Sequence, residues 1–324
     1  MSTHEMTATR AVRLQRPTVR RSHPWRWVSA VIILAVIVGV VLALAHAKVD
    51  WVSVTAYIVY PVVLAAVWNT VVLAVISQVV AIVLGVLVAI MRISANPVAS
   101  TTASFFIWIF RGVPVLVQIL VWYNIALVVD RITVVIPFTH IVLFDESTNS
   151  LMTPFVAAFL GLALNEAAYM AEIVRGGIKS VDTGQIEAAG ALAMSPGRTM
   201  RRIVLPQAIR VIVPPTGNDF VNMLKTTSLA SVVTYPELLR AAQNISAVNL
   251  QVMETLFAAA FWYMVIVSIT SVGQYFLERS LESSVSRKTP IGLREIARKA
   301  FSLPFRRNIE YPPVTEGSDR EVRQ

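Results

Sequence analysis

Residues 57–91 contain no charged side chain, and residues 28–47 contain none either. Uninterrupted apolar runs of this length constrain the chain more than any other feature. A run of about 18 or more apolar residues crosses the hydrocarbon layer as a helix. Inside lipid a helix is favoured because it satisfies its own backbone hydrogen bonds. Charged residues make up only 15% of the 324 residues, against about 25% in soluble domains. The expected class is therefore an all-α, polytopic membrane bundle.

The net charge of +9 fits that class and excludes a nucleic-acid partner. Six of the 28 Lys and Arg precede residue 28, and ten follow residue 278. Such terminal clusters set orientation in a membrane. A nucleic-acid face would instead interleave basic with aromatic residues. The chain has no cysteine, which removes disulfides and thiolate sites. Its four histidines are scattered, so no metal site is expected. No G-x-x-x-x-G-K-[ST] run is present. ATP, if it is used, is bound and hydrolysed by another subunit, and this chain carries no cofactor and no catalytic residue.

Residues 1–27 read as a disordered basic cytoplasmic tail, with Trp25 and Trp27 at the membrane interface. Residues 28–47 read as an additional N-terminal transmembrane helix. The rival is a cleaved signal peptide, because Ala45-His46-Ala47 has the form of a cleavage site. Residues 57–91 hold the next span. Asn69, Thr70, Ser77 and Gln78 interrupt it and should face protein. Between residues 98 and 129, Pro114 should kink the chain, leaving 98–112 near the inner face and 114–129 as the span proper. Residues 130–150 form a polar external loop, and 151–175 the following span. Residues 207–224 are moderately apolar, and 225–250 combine a short membrane helix with an external connection. The last span is 251–278. Residues 281–324 are a second basic cytoplasmic tail.

The loop at 182–206 is short, amphipathic and positively charged, which places it on the inner side. Asp182 with Gln185 has the form of a capping box. Ile186, Ala189, Ala193 and Met194 make an apolar stripe at helical spacing. Ser195-Pro196 opens a second short helix, and Leu205-Pro206 closes it. The result would be a rigid two-helix knob. Without further information, such a pair could equally lie flat on the membrane.

The same loop contains Glu187-Ala188-Ala189, three residues, Ala193, nine residues, and then Ile203-Val204-Leu205-Pro206. This resembles the EAA loop of the membrane subunits of ABC importers, with Ala193 where the family has Gly. Phe110-Arg111-Gly112-Val113-Pro114, Ala168-Tyr169-Met170-Ala171-Glu172-Ile173-Val174-Arg175-Gly176-Gly177 and Leu224-Lys225-Thr226-Thr227-Ser228-Leu229 resemble the amino-acid permeases of that group, the histidine/glutamine (polar amino acid) uptake class. Val113 replaces the usual Thr.

The resemblance implies a type I permease fold over 57–280 with five core spans, about six with the N-terminal helix. It implies coupling helices at 182–206, two ATP-binding subunits, a second permease subunit and an extracytoplasmic amino-acid-binding protein. ATPase coupling would fall to Glu187, Ala188, Ala189, Ala193, Ile203, Leu205 and Pro206. The location would be the bacterial plasma membrane, with both termini cytoplasmic.

Polar residues within spans are costly, at about 2.5–3.5 kcal/mol for a charge at mid-helix. Glu166 could meet the α-ammonium of a passing amino acid, with Asn165 beside it, or make an interhelical contact. Arg111 could meet the substrate carboxylate or cap a broken helix. Asn218, with Asp219 and Asn222, could line the pathway or bind helix to helix. Glu172 and Arg175 share a face and should pair. The alternative function is an ion-coupled secondary amino-acid transporter, for which Glu166 is the best argument. A membrane scaffold is the third reading.

Overall fold

The computed structural model describes residues 24–46, 48–136 and 142–283. Nearly all of the two expected tails lies outside them. Helix α1 (Pro24–Ala45) belongs to a separate compact unit, residues 1–51, and is described by itself. It begins at Pro24, so Trp25 and Trp27 lie within the helix rather than in a tail. Its described side chains are exposed.

The second unit starts at Val52, one residue into α2 (Trp51–Ile58), and continues with the long α3 (Pro61–Ile93). Next come α4 (Pro97–Gly112) and α5 (Val115–Tyr123). A hairpin of β1 (Arg131–Val135) and β2 (Val142–Ser147) leads through a single turn, α6 (Thr148–Leu151), into α7 (Pro154–Lys179). Helices α8 (Thr183–Ala191), α9 (Pro196–Thr199) and α10 (Leu205–Thr226) follow, then α11 (Leu238–Asn249) and α12 (Val252–Ser283). Among the described residues α3, α7 and α12 are each long and apolar enough to span a membrane, and α4 with α5 makes a fourth if counted as one span.

The centre of the bundle is α3 against α7. Along α3 the buried positions Ala66, Thr70, Ala74, Ser77, Ala81, Gly85 and Ala89 recur every three or four residues, so they form one small-residue face. On α7 the facing positions include Ala167, Met170 and Ala171. A Cβ built on Gly85 would lie 3.0 Å from the Ala167 carbonyl oxygen and 3.1 Å from the Ala171 nitrogen. Lipid tails are as apolar as Leu, so close van der Waals approach drives helix association here. Gly161 serves α7 in the same way, with the Ile119 backbone nitrogen 3.0 Å from its would-be Cβ. The buried core follows this seam, with Leu73, Ala74, Ile119, Ala158, Leu162 and Leu224 packed together.

Asn69, Thr70, Ser77 and Gln78 do face protein, as expected. Thr70, Ser77 and Gln78 are buried. Asn69 donates to the Pro236 carbonyl (2.9 Å), and Leu238 N–H donates to Thr70 Oγ1 (3.2 Å). The start of α11 is held further by Glu237, which is fully buried. Its carboxylate accepts from Leu239 N (2.8 Å), Arg240 N (2.7 Å) and the Tyr263 hydroxyl on α12 (2.6 Å). This ties α11 to both α3 and α12.

Four expectations change. Pro114 produces a break, not a kink: α4 and α5 meet at 100°. The polar loop 130–150 contains the hairpin, pinned by Arg131 on Asp145 (3.1 and 2.9 Å) with Thr133 (2.9 Å). The Arg131 guanidinium, with Thr133, holds the Asp145 carboxyl below the usual Asp range. Residues 225–250 form a 3-10 turn (Thr227–Val233) and α11.

Finally, Leu205-Pro206 closes nothing. The backbone stays helical from Pro196 to Thr226 through a π turn at Met200–Val204, where Leu205 N–H bonds to the Met200 carbonyl. Pro206 lacks an N–H, and its ring crowds the carbonyl one turn back. A widened turn absorbs that conflict without ending the helix.

The close approach at Gly85 makes a quantitative prediction. Gly85→Val should destabilise the purified protein by about 1–3 kcal/mol through overpacking. Gly39→Val, where nothing lies within 4 Å of the built Cβ, should not. Thermal unfolding in detergent checks this, and equal melting points would refute the role of the seam.

Candidate functional site

The side chains singled out in the sequence lie in a polar middle and in an exposed elbow at the end of α7.

Glu166 is the thirteenth of the 26 residues of α7, at the middle of that span. Successive helix residues point about 100° apart, and Asn165 and Glu166 accordingly face different neighbours. Asn165 Nδ2 donates to the Phe110 carbonyl at 2.6 Å. Gln118 Nε2 donates to the same carbonyl (2.9 Å) and to that of Val113 (2.8 Å). These carbonyls are freed by the break at Pro114. Two side-chain amides thus cap the end of α4, the task left open for Arg111. Arg111 instead lies over the Tyr169 ring, 4.8 Å from its centre.

Glu166 turns the other way. The side chains that interact with it are Asp219 on α10 and Gln78 on α3. None of them closes a hydrogen bond on Glu166 Oε1, and both amide atoms of Gln78 and Ser77 Oγ are also without partners. Asn218, next to Asp219, is exposed and lines a separate groove of about 280 Å³ between α10 and α12, with Gln274 and Glu278. Glu166, Asn165, Arg111 and Asn218 therefore occupy three distinct places rather than one pocket. Asp219 and Gln78 are the polar groups nearest Glu166. They come from helices distant in sequence, so no local pattern joins them to it. Glu172 and Arg175 pair as expected, with Arg175 Nε 3.0 Å from Glu172 Oε2.

The elbow is α8, a turn, and the start of the 196–226 helix. Asp182 caps α8 by accepting from Gly184 N–H (2.7 Å), one residue earlier than a capping box requires. Glu187 and Ala188 are exposed, whereas Ala189 is buried. Helix α8 stops at Ala191, so Ala193 and Met194 lie in the turn and not on its stripe. The outward apolar side chains are Ile186 and Leu192, and Leu192 is 77% exposed. Leu205 and Pro206 are exposed, Ile203 is half-buried, and Val204 packs with Val181 and Ala208 at the root of the elbow.

Ala193 has φ of +52°. Its N–H bonds to the Gly190 carbonyl (2.9 Å) and Met194 N–H to that of Ala189 (3.0 Å). This is a left-handed helix cap, the conformation for which glycine is the usual residue.

With this geometry in hand, the class is a helical membrane component of a transport system. The model of the binding-protein-dependent transport system inner membrane component family matches residues 81–283, and the chain belongs to that family.

Among curated proteins, it is 42% identical over 267 residues to an arginine transport system permease protein of Corynebacterium glutamicum, covering 82% of this chain and 83% of that one. It is 37% identical to a nopaline transport system permease protein of Agrobacterium fabrum, covering 71% and 94%. Among solved structures, an amino acid ABC transporter crystallised with histidines matches with a TM-score of 0.62 at 32% identity, covering 72% of this chain and all of that one. The MetNI methionine transporter, at 18% identity and a TM-score of 0.53, shows the fold alone. None of these supports an ion-coupled mechanism.

The cap at Ala193 can be tested directly. A left-handed conformation costs about 1–2 kcal/mol with a side chain and more with a β-branched one. Ala193→Gly should leave the 183–204 loop at least as resistant to limited proteolysis, and Ala193→Val should make it more sensitive. The reverse order would contradict the turn geometry.

Proposed function

We propose that this chain is the permease subunit of an ATP-driven uptake system for polar amino acids, embedded in a bacterial plasma membrane. Family membership supports the transport role, and the curated relatives support amino acids as cargo. In this reading residues 57–280 form the transporting domain and both termini are cytoplasmic, following the positive charge of the tails and the elbow. A second permease subunit, of the same or a different chain, completes the pathway. The exposed polar stripe of Asn218, Asn222 and Lys225 on α10 supports such a partner, since lipid is a poor neighbour for it.

The observation that carries the proposal is the elbow itself. Glu187, Ala188, Ile186 and Leu192 present an outward, partly apolar knob at the end of the span that holds Glu166. The ATP-binding subunit grips that knob. Closure of its nucleotide sites shifts the spans between outward and inward access. Substrate is delivered by a binding protein at the opposite end of α7, where the β1–β2 hairpin sits. No bond is made or broken in the cargo by this chain.

Reconstitution with the ATPase and binding protein tests this. Uptake of a polar amino acid should require ATP and ignore sodium and proton gradients. Glu187→Lys should keep ATP hydrolysis while lowering uptake about tenfold or more, as expected when a buried interface acquires a like or unpaired charge. Uptake that follows an ion gradient without ATP would overturn the proposal.

A further inference from the structure

Three arginines of the elbow point outward around one groove. Arg198, Arg201 and Arg202, with Gly197, line an open groove of about 480 Å³, and no acidic side chain contributes to its wall. All three are exposed. Among the described residues the ion pairs are Arg131–Asp145 and Arg175–Glu172, so none of the three belongs to one. Like charges three and four apart on a helix repel one another. The arrangement is therefore costly, and an anion in the groove relieves it.

The neighbouring side chains indicate where that anion comes from. Leu205 and Ile209 follow Arg201 at steps of four, so they share its face, and each is 42% exposed. Thr199, Val204 and Ala208 of the same helix are buried. Beyond Ile209 the helix runs on into the bundle, where Leu224 joins the core. An exposed apolar stripe thus leads from the arginine groove toward the membrane interior. Helical side chains lean toward the N-terminus, so the arginines lean away from that interior, as charged groups at headgroup level do. The knob assigned above to the ATP-binding subunit is on a different element, α8, which ends at Ala191.

We propose that Arg198, Arg201 and Arg202 form a site for the phosphate of an anionic phospholipid, with Leu205 and Ile209 against its acyl chains. The inference rests on the orientation of the importer reading, which puts the elbow at the inner leaflet. A guanidinium offers a fork of N–H donors matched to two phosphate oxygens. A zwitterionic lipid brings its own cation into the groove, where the arginines repel it. Phosphatidylglycerol carries the phosphate without a cation. Basic pockets beside spans recognise anionic headgroups on this principle. A lipid held there fixes the start of the 196–226 helix at headgroup depth and sets the height at which α8 is presented.

The test uses the complex of this chain with its ATP-binding subunit, in proteoliposomes of phosphatidylethanolamine. Traces of phosphatidylglycerol or phosphatidylcholine carry the same photoactivatable acyl chain, and crosslinks are mapped by peptide mass spectrometry. Phosphatidylglycerol should label residues 196–210 about tenfold or more above phosphatidylcholine. Arg198→Gln, Arg201→Gln and Arg202→Gln together should cut that ratio to about twofold or less, whereas Arg198→Lys, Arg201→Lys and Arg202→Lys together should keep at least about half of it, because the charge remains. Labelling at Val79 and Val83, exposed on α3, should not distinguish the two lipids in any variant, which controls for folding.

Equal labelling of residues 196–210 by both lipids in the unaltered complex would overturn the proposal. So would a preference that survives the Gln replacements, or one abolished by inorganic phosphate, which would make this a site for a soluble anion. A preference shown by the chain alone but lost in the complex would assign the arginines to the ATP-binding subunit and refute the lipid. The importer reading fails separately, if the same proteoliposomes take up no amino acid with ATP. Uptake without the lipid preference leaves the importer standing and removes this site.

Discussion

The bundle depends on how closely α3 and α7 approach. Hydrophobicity cannot pull helices together in lipid, so backbone proximity over Ala and Gly has to do it. At Gly85 and Gly161 a single added carbon would lie within about 3.1 Å of backbone atoms on the neighbouring helix. This same proximity brings Gln78 and Glu166 from separate helices into one interior, where neither could be placed against lipid at acceptable cost. Packing and polarity are therefore one arrangement. The small residues create the closeness that makes the polar middle possible.

The broken span shows a related economy. A proline and a glycine interrupt the chain at 112–114 and expose carbonyls that would otherwise be bonded in the helix. Such a break is tolerated in a membrane only where protein satisfies the freed groups. Asn165 and Gln118 do so at Phe110 and Val113. Asn165 thus holds the corner at the end of α4, while its neighbour Glu166 faces the opposite interior. The identity of a polar residue in a span says little about its task until the direction of its side chain is known.

Much of this architecture was legible beforehand because it is local. Apolar runs marked the long spans, charge-free as far as Met91 in α3 but not in α7 or α12; Pro114 marked the interruption, and the Glu187–Pro206 spacing located the elbow. The face of α3 bearing Thr70 and Gln78 was also readable, since period-3.6 placement needs no partner. What escaped was either non-local or a conflict between local rules. The meeting of Glu166 with Asp219 joins residues more than fifty positions apart. Leu205-Pro206 looked like a stop because proline usually ends a helix, yet a π turn resolved the clash instead. Leu192 escapes a stripe drawn at helical spacing because α8 ends at Ala191 and the backbone turns left-handed at Ala193.

That π turn has a mechanical consequence. A helix that stopped at Pro206 would leave a joint between the elbow and the membrane, and a joint dissipates displacement. The helical backbone from Pro196 to Thr226 is continuous across Pro206, although Pro214 and Pro215 lie within it. At about 1.5 Å per residue it reaches roughly 35 Å from its outer tip to Asp219. Over that length a tilt of a few degrees about the outer tip amounts to a shift at Asp219 comparable to a hydrogen-bond length.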